Sequence, residues 1–79
     1  MIQVELRLFG DLRKYHDTPL DVGHDMRVEE GTSILDVVHK LGVPVDETKI
    51  ILVNGRHKEL DYILSDGDRL AIFPAVAGG

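Results

Sequence analysis

Apolar and polar residues alternate strictly at the start of the chain, which predicts a half-buried strand over residues 2–9. Its apolar face carries Ile2, Val4, Leu6 and Leu8, and its polar face carries Gln3, Glu5 and Arg7. The pattern then breaks at a glycine, so residues 10–17 are interpreted as a loop with room for a helical turn. Alternation resumes over residues 20–28, where His24 falls on the apolar side and Gly23 weakens the run, which predicts an edge strand.

A helix follows, and both of its ends are marked in the sequence. Thr32 or Ser33 can cap the first amide groups, and Ser33 has the spacing of a capping box with Asp36 in the place of glutamate. Gly42 and Pro44 end the helix, because glycine suits a left-handed cap and proline lacks an N–H. The apolar stripe between these ends consists of Ile34, Val37, Val38 and Leu41.

Three strands are predicted after the helix. The run IILV at residues 50–53 is continuously apolar, which predicts a strand buried on both faces. Asn54-Gly55 is a tight-turn signal that leads into a short strand at residues 56–59. The remaining segments are an irregular turn at residues 60–64, a turn at Asp66-Gly67-Asp68 and a last strand at residues 69–74.

This order of elements predicts an α+β fold of the β-grasp, ubiquitin-like type, with a mixed sheet of four to five strands covered on one face by a single main helix. A ferredoxin-like fold would need a second full helix, and residues 59–65 are too few to form one. Residues 1–79 are therefore interpreted as a single domain, in which residues 74–79 form a flexible C-terminal tail.

The composition argues against several function classes. A domain of 79 residues buries only roughly 60% of its unfolded surface, which leaves little room for an enclosed active site, so a self-contained enzyme is not expected. The absence of cysteine excludes disulfides, thiolate zinc sites and a thiol nucleophile. The net charge of −5 and the scattered basic residues leave no footprint for nucleic acid. Without a signal peptide or a membrane-length apolar run, the protein is predicted to be soluble and cytoplasmic, with no membrane partner.

The polar side chains do not form a predicted metal or catalytic site. The four histidines lack ligand spacing on one element, the two serines Ser33 and Ser65 stand in cap and turn contexts, and Asp66 and Asp68 belong to a turn. The basic residues after the hairpin turn are interpreted as charges that protect an edge strand. The histidines are His16, His24, His39 and His57, and the basic residues are Arg56, His57 and Lys58.

The last two residues given, Gly78 and Gly79, offer nothing for a core to bury. A carboxylate is a poor acyl donor because oxide is a poor leaving group, so a nucleophile can replace its oxygen only through a mixed anhydride such as an acyl-adenylate. An activating enzyme must enclose this anhydride to exclude water, and residues without a Cβ let the backbone pass through a narrow channel. The glycine pair therefore indicates an activated C-terminus, and simple fraying is the alternative.

The chain resembles a family of ubiquitin-like sulfur carriers. The resemblance lies in the order of elements, the turn VNG and the C-terminal segment LSDGDRLAIFPAVAGG. This family includes the small subunit of molybdopterin synthase and the sulfur carrier of the thiamine pathway. The most specific block runs from Asp66 to Gly79, with Pro74-Ala75 where the family often has two prolines. The resemblance implies that the Gly79 carboxylate is adenylated, converted to a thiocarboxylate and used to donate sulfur to the pterin precursor in molybdenum cofactor biosynthesis.

The same resemblance implies three partners and a set of site residues. The partners are the large catalytic subunit of molybdopterin synthase, a ubiquitin-activating-type adenylating enzyme that uses ATP, and a persulfide sulfur donor. No cofactor or metal is expected on the isolated chain, which would act as a co-substrate and not as a catalyst alone. The implied reactive residues are Gly78 and Gly79, and the implied partner-binding residues are Ala71, Phe73, Pro74, Ala75, Val76 and Ala77.

The last strand carries the main prediction about docking. Its alternation sends Leu70 and Ile72 to one face and Ala71 and Phe73 to the other. If the helix covers the Leu70 face, Phe73 lies on an open sheet face. The apolar run at residues 50–53 points the same way, because its alternate residues face opposite sides of the sheet. A small domain seldom leaves such a patch without a partner. A second, smaller core beneath a loop is the alternative.

Other functions stay open at this stage. A ubiquitin-like modifier would form an isopeptide between Gly79 and a lysine of a target protein, whereas a plain interaction module would have an inert tail. Among sulfur carriers, thiazole synthesis for thiamine is the second candidate pathway.

Overall fold

The computed structural model describes residues 1–15 and 23–74, and its central feature is a mixed sheet packed on one helix. The strands are β1 (Ile2–Leu8), β2 (His24–Val28), β3 (Ile50–Val53), β4 (Arg56–His57) and β5 (Arg69–Phe73); the helix is α1 (Ile34–Leu41), and short 3₁₀ helices span Gly10–Tyr15 and Val45–Glu47. The spatial order of the strands is β2-β1-β5-β3-β4. The central pair, β1 and β5, is parallel and the other neighbours are antiparallel. The predicted β-grasp fold is confirmed.

The first two strands follow the predicted alternation, with shorter bounds. The apolar residues of β1 are all buried, and the register places His24 opposite Leu6, so His24 faces the core side as predicted. β1 ends at Leu8, one residue before the predicted end, although the Phe9 N–H still donates to the Ile72 carbonyl at 3.1 Å. β2 begins at His24, and residues 20–22 of the predicted strand lie outside the described residues.

The helix begins and ends as its sequence predicts. The Ser33 Oγ accepts the Asp36 N–H at 3.1 Å, and the Asp36 carboxylate accepts the Ser33 N–H at 3.0 Å, which completes the capping box. Gly42 ends the helix in the left-handed conformation with φ of 77°. The buried residues of α1 pack on Leu70 and Ile72 of β5, so the helix covers one face of the sheet.

The prediction that the strand at residues 50–53 is buried on both faces is wrong, whereas the prediction that its apolar residues alternate between the two faces of the sheet is confirmed. Ile51 and Val53 are buried against the helix side, but Leu52 is half-buried and Ile50 is 43% exposed. The reason is that α1 covers a single face of the sheet and no second layer covers the other face among the described residues. The following strand is also shorter than predicted, because only Arg56–His57 pair with β3.

Residues 58–68 connect β4 to β5 without a second helix. Residues 59–65 form turns, with an isolated bridge between Ser33 and Ile63, as the exclusion of a ferredoxin-like fold requires. The Tyr62 and Leu60 carbonyls accept the first two N–H groups of α1, so this segment also supports the start of the helix.

Two turns are joined by the buried carboxylate of Asp68. This carboxylate accepts hydrogen bonds from the Asn54 side chain at 3.0 Å, the Ser65 N–H at 2.8 Å and the Tyr62 hydroxyl at 3.4 Å. Asn54 also accepts the Arg69 N–H at 3.0 Å, so it links the β3–β4 turn to the start of β5. The interpretation of Asp66 and Asp68 as turn residues is supported, because residues 66–67 form a turn in which the Asp68 N–H donates to the Ser65 carbonyl at 3.1 Å. Asp66 also accepts the N–H of Gln3 at 2.8 Å.

The capping box makes the stability of the protein sensitive to acid. The Ser33 backbone N–H, with a smaller contribution from the Ser33 hydroxyl, lowers the pKa of Asp36 below its ordinary value of 3.8. A lowered pKa in the folded state contributes stability above the ordinary pKa and loses it as the pH falls through the lowered one. We expect Asp36→Asn to lower the melting temperature at neutral pH, and the difference from wild type to narrow below pH 3.8. A difference that does not change with pH would contradict this role of Asp36.

Candidate functional site

The face of the sheet opposite α1 is the candidate functional site. Leu70 and Ile72 of β5 are fully buried beneath the helix, whereas Ala71 and Phe73 point to the other face and are half-buried. This is the arrangement that the alternation in the last strand predicts, and Phe73 lies on the open face. We call this surface the open face.

The strand register arranges the open face in three rows. The apolar row is Phe9, Phe73 and Ile50; the middle row is Arg7, Ala71, Leu52 and His57; and the charged row is Asp25, Glu5 and Arg69. The face therefore changes from charged to apolar along β5, and its apolar end lies where β5 leads to Pro74 and the predicted tail.

A stacked aromatic pair forms the centre of the apolar row. The rings of Phe9 and Phe73 have centroids 4.4 Å apart and planes inclined by only 6°. The sequence analysis gave Phe9 no role, although its position two residues after Arg7 continues the outward period of β1. Phe9 covers one side of the Phe73 ring and leaves Phe73 half-buried. The environment of Phe73 therefore combines features of both predicted alternatives, an open patch and a small second core.

The residue after each phenylalanine extends this contact. A Cβ placed on Gly10 would lie 2.9 Å from Cγ of Pro74, so only glycine allows the two segments to approach so closely. Gly10 also has φ of +58°, in the left-handed region that favours glycine. Phe9 and Gly10 therefore hold Phe73 and Pro74, and they fix the point from which residues 75–79 continue.

A groove of about 420 Å³ crosses the open face beside the aromatic pair. Phe9, Leu52 and Ala71 supply apolar surface in this groove, and its two charged lining residues are Arg7 and Arg69. A surface of this kind can hold an apolar side chain of a partner together with an acidic group.

The two arginines differ in their surroundings. Arg7 Nε lies 3.3 Å from a carboxylate oxygen of Glu5, with both atoms shielded from solvent and neither in a well-formed hydrogen bond. Gly23 contributes to this shielding, since a Cβ there would lie 2.7 Å from Cγ of Glu5. Arg69 is exposed, and no carboxylate among the described residues lies within ion-pair distance of its guanidinium.

The described residues contain only part of the predicted site. Ala71, Phe73 and Pro74 lie together at the end of β5, whereas Ala75, Val76, Ala77, Gly78 and Gly79 lie outside the described residues, so their predicted roles stay predictions. Within residues 1–15 and 23–74, no three His, Cys, Asp or Glu side chains lie close enough together to hold a metal ion. In the same two ranges, no helix is long and apolar enough to cross a bilayer.

A mixed five-stranded sheet with one helix on one face and an open opposite face defines a ubiquitin-like β-grasp domain. The chain belongs to the Mut7-C ubiquitin family, whose sequence model matches residues 1–78. No curated protein sequence matches the chain. The family supports the ubiquitin-like class inferred from the sequence.

Solved structures with the same fold include three archaeal proteins. The Haloferax volcanii HVO 2177 protein is 26% identical, with a TM-score of 0.76 over 99% of this chain and 87% of that one. A protein named as molybdopterin converting factor, subunit 1, of Pyrococcus furiosus is 22% identical, with a TM-score of 0.74 over 96% of this chain and all (100%) of that one. Small archaeal modifier protein 1 of Haloferax volcanii is 23% identical, with a TM-score of 0.73 over 96% of this chain and 100% of that one. These likenesses show the fold.

The contact between Gly10 and Pro74 can be tested with a matched glycine. Alanine at Gly10 would meet both a left-handed backbone and the Pro74 ring, whereas alanine at Gly31, with φ of +90°, would meet nothing within 4 Å. Overpacking costs about 1–3 kcal/mol, so we expect Gly10→Ala to lower the free energy of unfolding by more than Gly31→Ala in urea titrations. In a Pro74→Ala background, the two glycine substitutions should lower the free energy of unfolding by similar amounts. If Gly10→Ala remained the more destabilising substitution in that background, the Pro74 ring would not be the cause of its larger effect.

Proposed function

We propose that this protein is a sulfur carrier whose C-terminal Gly79 carboxylate is activated, converted to a thiocarboxylate and used as a sulfur donor. The acceptor in this proposal is the pterin precursor of molybdenum cofactor biosynthesis, within molybdopterin synthase. The observation that carries the proposal is the open face, which presents Phe73 at the end of β5, six residues before Gly79 along the chain. The ubiquitin-like class of the chain supports it.

The chemistry divides into steps that need partners. The Gly79 carboxylate attacks the α-phosphorus of ATP on an adenylating enzyme of the ubiquitin-activating type, and pyrophosphate leaves. The terminal sulfur of a persulfide donor then attacks the acyl carbon, and AMP leaves. A thiol next attacks the resulting acyl disulfide at the inner sulfur, which stays bonded to the donor. The sulfur–sulfur bond breaks, a mixed disulfide forms between the thiol and the donor, and the thiocarboxylate leaves with the sulfur that had been terminal. The carrier supplies the carboxylate, and the adenylating enzyme binds the ATP and excludes water.

The open face is the proposed docking surface for the adenylating enzyme and for the large subunit of molybdopterin synthase. Phe73 and Ala71 would contact these partners, and Pro74 would lead into a tail of Ala75, Val76, Ala77 and Gly78 that passes through a narrow channel to the nucleotide. In this proposal no cofactor binds the carrier itself, and the ATP-dependent step takes place in the cytoplasm.

A ubiquitin-like modifier is the second candidate, and the likeness to small archaeal modifier protein 1 favours it. Both functions begin with the same adenylate of Gly79 and differ in the nucleophile, which is a lysine amine in one case and a persulfide in the other. High-mass conjugates in cell extract that vanish on deletion of Gly79 would identify the modifier. Sulfur transfer to the thiazole of thiamine is the alternative pathway for a carrier.

Intact mass spectrometry of the protein recovered from its native cell tests the carrier function. We expect a chain that ends at Gly79 and carries one sulfur in place of one oxygen. Deleting Gly79 moves the carboxylate back by up to roughly 3.5 Å, so we expect the sulfur to be lost while the melting temperature stays unchanged. A native chain that continues past Gly79, or a deletion variant that still carries sulfur, would rule out the proposed chemistry.

Replacing Phe73 separates docking from folding. Phe73→Ala removes the aromatic stack and half-buried surface, which should cost about 1–2 kcal/mol of folding stability. Loss of an interface anchor typically costs on the order of 2 kcal/mol or more, which is a loss of affinity for the partner of at least about thirtyfold, so the fraction of the protein that carries sulfur in the cell should fall markedly.

Phe9→Ala is the control for this experiment, because it removes the same stack and leaves Phe73 in place. We expect it to lower stability to a similar extent with a smaller loss of sulfur. Equal losses of sulfur in the two variants would assign the effect to the stack instead of to contact between Phe73 and a partner.

A further inference from the structure

The groove on the open face carries a charge opposite to that of the protein as a whole. The chain has 14 acidic and 9 basic residues and a net charge of −5. The charged side chains that line the groove are nevertheless two arginines, Arg7 and Arg69, beside an apolar surface of Phe9, Leu52 and Ala71. The positive charge of the groove is therefore a property of this surface and not of the protein as a whole.

Of the two arginines, Arg69 is the one whose guanidinium can bind a ligand. Glu5 lies 3.3 Å from Nε of Arg7 and offsets its charge, whereas no carboxylate in the described ranges lies within ion-pair distance of Arg69. The backbone of Arg69 is fixed, because its N–H donates to Asn54 and its neighbour Asp68 is buried. Arg69 thus presents, from a hydrogen-bonded strand, an exposed guanidinium that forms no ion pair with a carboxylate of the described ranges, although Glu5 and Asp25 lie in the same row.

We infer that the groove binds a peptide segment of the partner in which a carboxylate side chain lies next to an aliphatic one, with the carboxylate on Arg69 and the aliphatic side chain on Ala71 and Leu52. Arg69 and Ala71 are two residues apart on one strand, so their side chains are separated by about 7 Å along the face. An extended segment with the two side chains at positions i and i+2 matches this spacing. The inference rests on the proposed function, because it gives the chemistry of the partner that docks on the open face.

Charge complementarity favours this partner over a polyanion. Glu5 and Asp25 share the charged row with Arg69, and the net charge of the chain is negative, so each further negative charge on a ligand adds repulsion and a string of phosphates is disfavoured more strongly than a single carboxylate. A guanidinium can hold a carboxylate through two parallel hydrogen bonds, which sets the orientation of the segment as well as its position.

Two short peptides that differ only in charge test the inference. The first probe is acetyl-Glu-Ser-Leu-Ser-Glu-amide and the second is acetyl-Gln-Ser-Leu-Ser-Gln-amide, each titrated into the ¹⁵N-labelled protein of residues 1–79. We expect the acidic peptide to shift the amide resonances of Arg7, Leu52, Arg69 and Ala71, and to bind about two- to fivefold more tightly than the amide peptide at low salt. Raising the salt concentration should reduce this difference.

Arg69→Gln should remove the difference between the two peptides without lowering the melting temperature, since the side chain is exposed. Arg56→Gln is the matched control. Arg56 pairs with the core-facing Val53 and so lies on the opposite side of the sheet, and its loss changes the net charge equally while the preference for the acidic peptide remains.

Several results would overturn the inference. These are equal binding of the two peptides, shifts confined to residues outside the open face, tighter binding of a decameric oligothymidylate than of the acidic peptide, and dimerisation of the free protein through this face. The titration uses neither ATP nor the Gly79 carboxylate. Its failure would therefore leave the sulfur-carrier proposal standing, and absence of sulfur on Gly79 would leave the peptide result standing.

Discussion

The parallel pairing of β1 with β5 is the contact on which the rest of the structure depends. It joins the first and last strands at the centre of the sheet, with Leu6 opposite Leu70 and Leu8 opposite Ile72. These four side chains are fully or almost fully buried beneath α1. Because side chains alternate along each strand, this register also determines which residues of both strands reach the open face. The core and the candidate site are two consequences of one pairing.

Parallel strands are normally covered on both faces, and within the part of the chain that the structure describes the central parallel pair is covered on one. The domain compensates for this on the open face in three different ways along the strands. At one end the face carries the charged side chains of Glu5 and Arg69. In the middle row the Arg7 guanidinium pairs with the carboxylate of Glu5 from the neighbouring row. At the other end the rings of Phe9 and Phe73 shield each other. The stack reduces the exposed apolar area without filling the groove beside it, so the face tolerates water and can still bind a partner.

The sequence predicts the features that depend on local periodicity. Alternation in β1 and β5 identifies the buried and open faces, and the spacing from Ser33 to Asp36 identifies the start of the helix. The continuous run in β3 correctly predicts apolar residues on both faces, but periodicity cannot distinguish burial beneath a second layer from a strand that exposes Ile50 on one face. The number of layers depends on the whole fold and is not contained in a run of four residues.

The contacts that the sequence does not predict join residues far apart in the chain. Phe9 meets Phe73, Gly10 meets Pro74, and Asn54 meets Asp68. Each becomes visible only once the register of β5 against β1 and β3 is known. Gly10 shows a left-handed φ that a turn alone would explain, and its close approach to Pro74 is a separate constraint that no local pattern encodes.

These long-range contacts bear on how a domain this small could take part in difficult chemistry. An acyl-adenylate needs a water-free enclosure, and 79 residues that are committed to one core leave little volume for it. In the proposed function the domain instead provides a rigid base, and a partner bound to this base is placed relative to the point where the chain leaves Pro74. The positioning of Phe73 and Pro74 by Phe9 and Gly10 is a rigid base of that kind. Phe9 also lines the groove, so the residue that stacks on Phe73 is part of the surface that the proposed partner segment would contact.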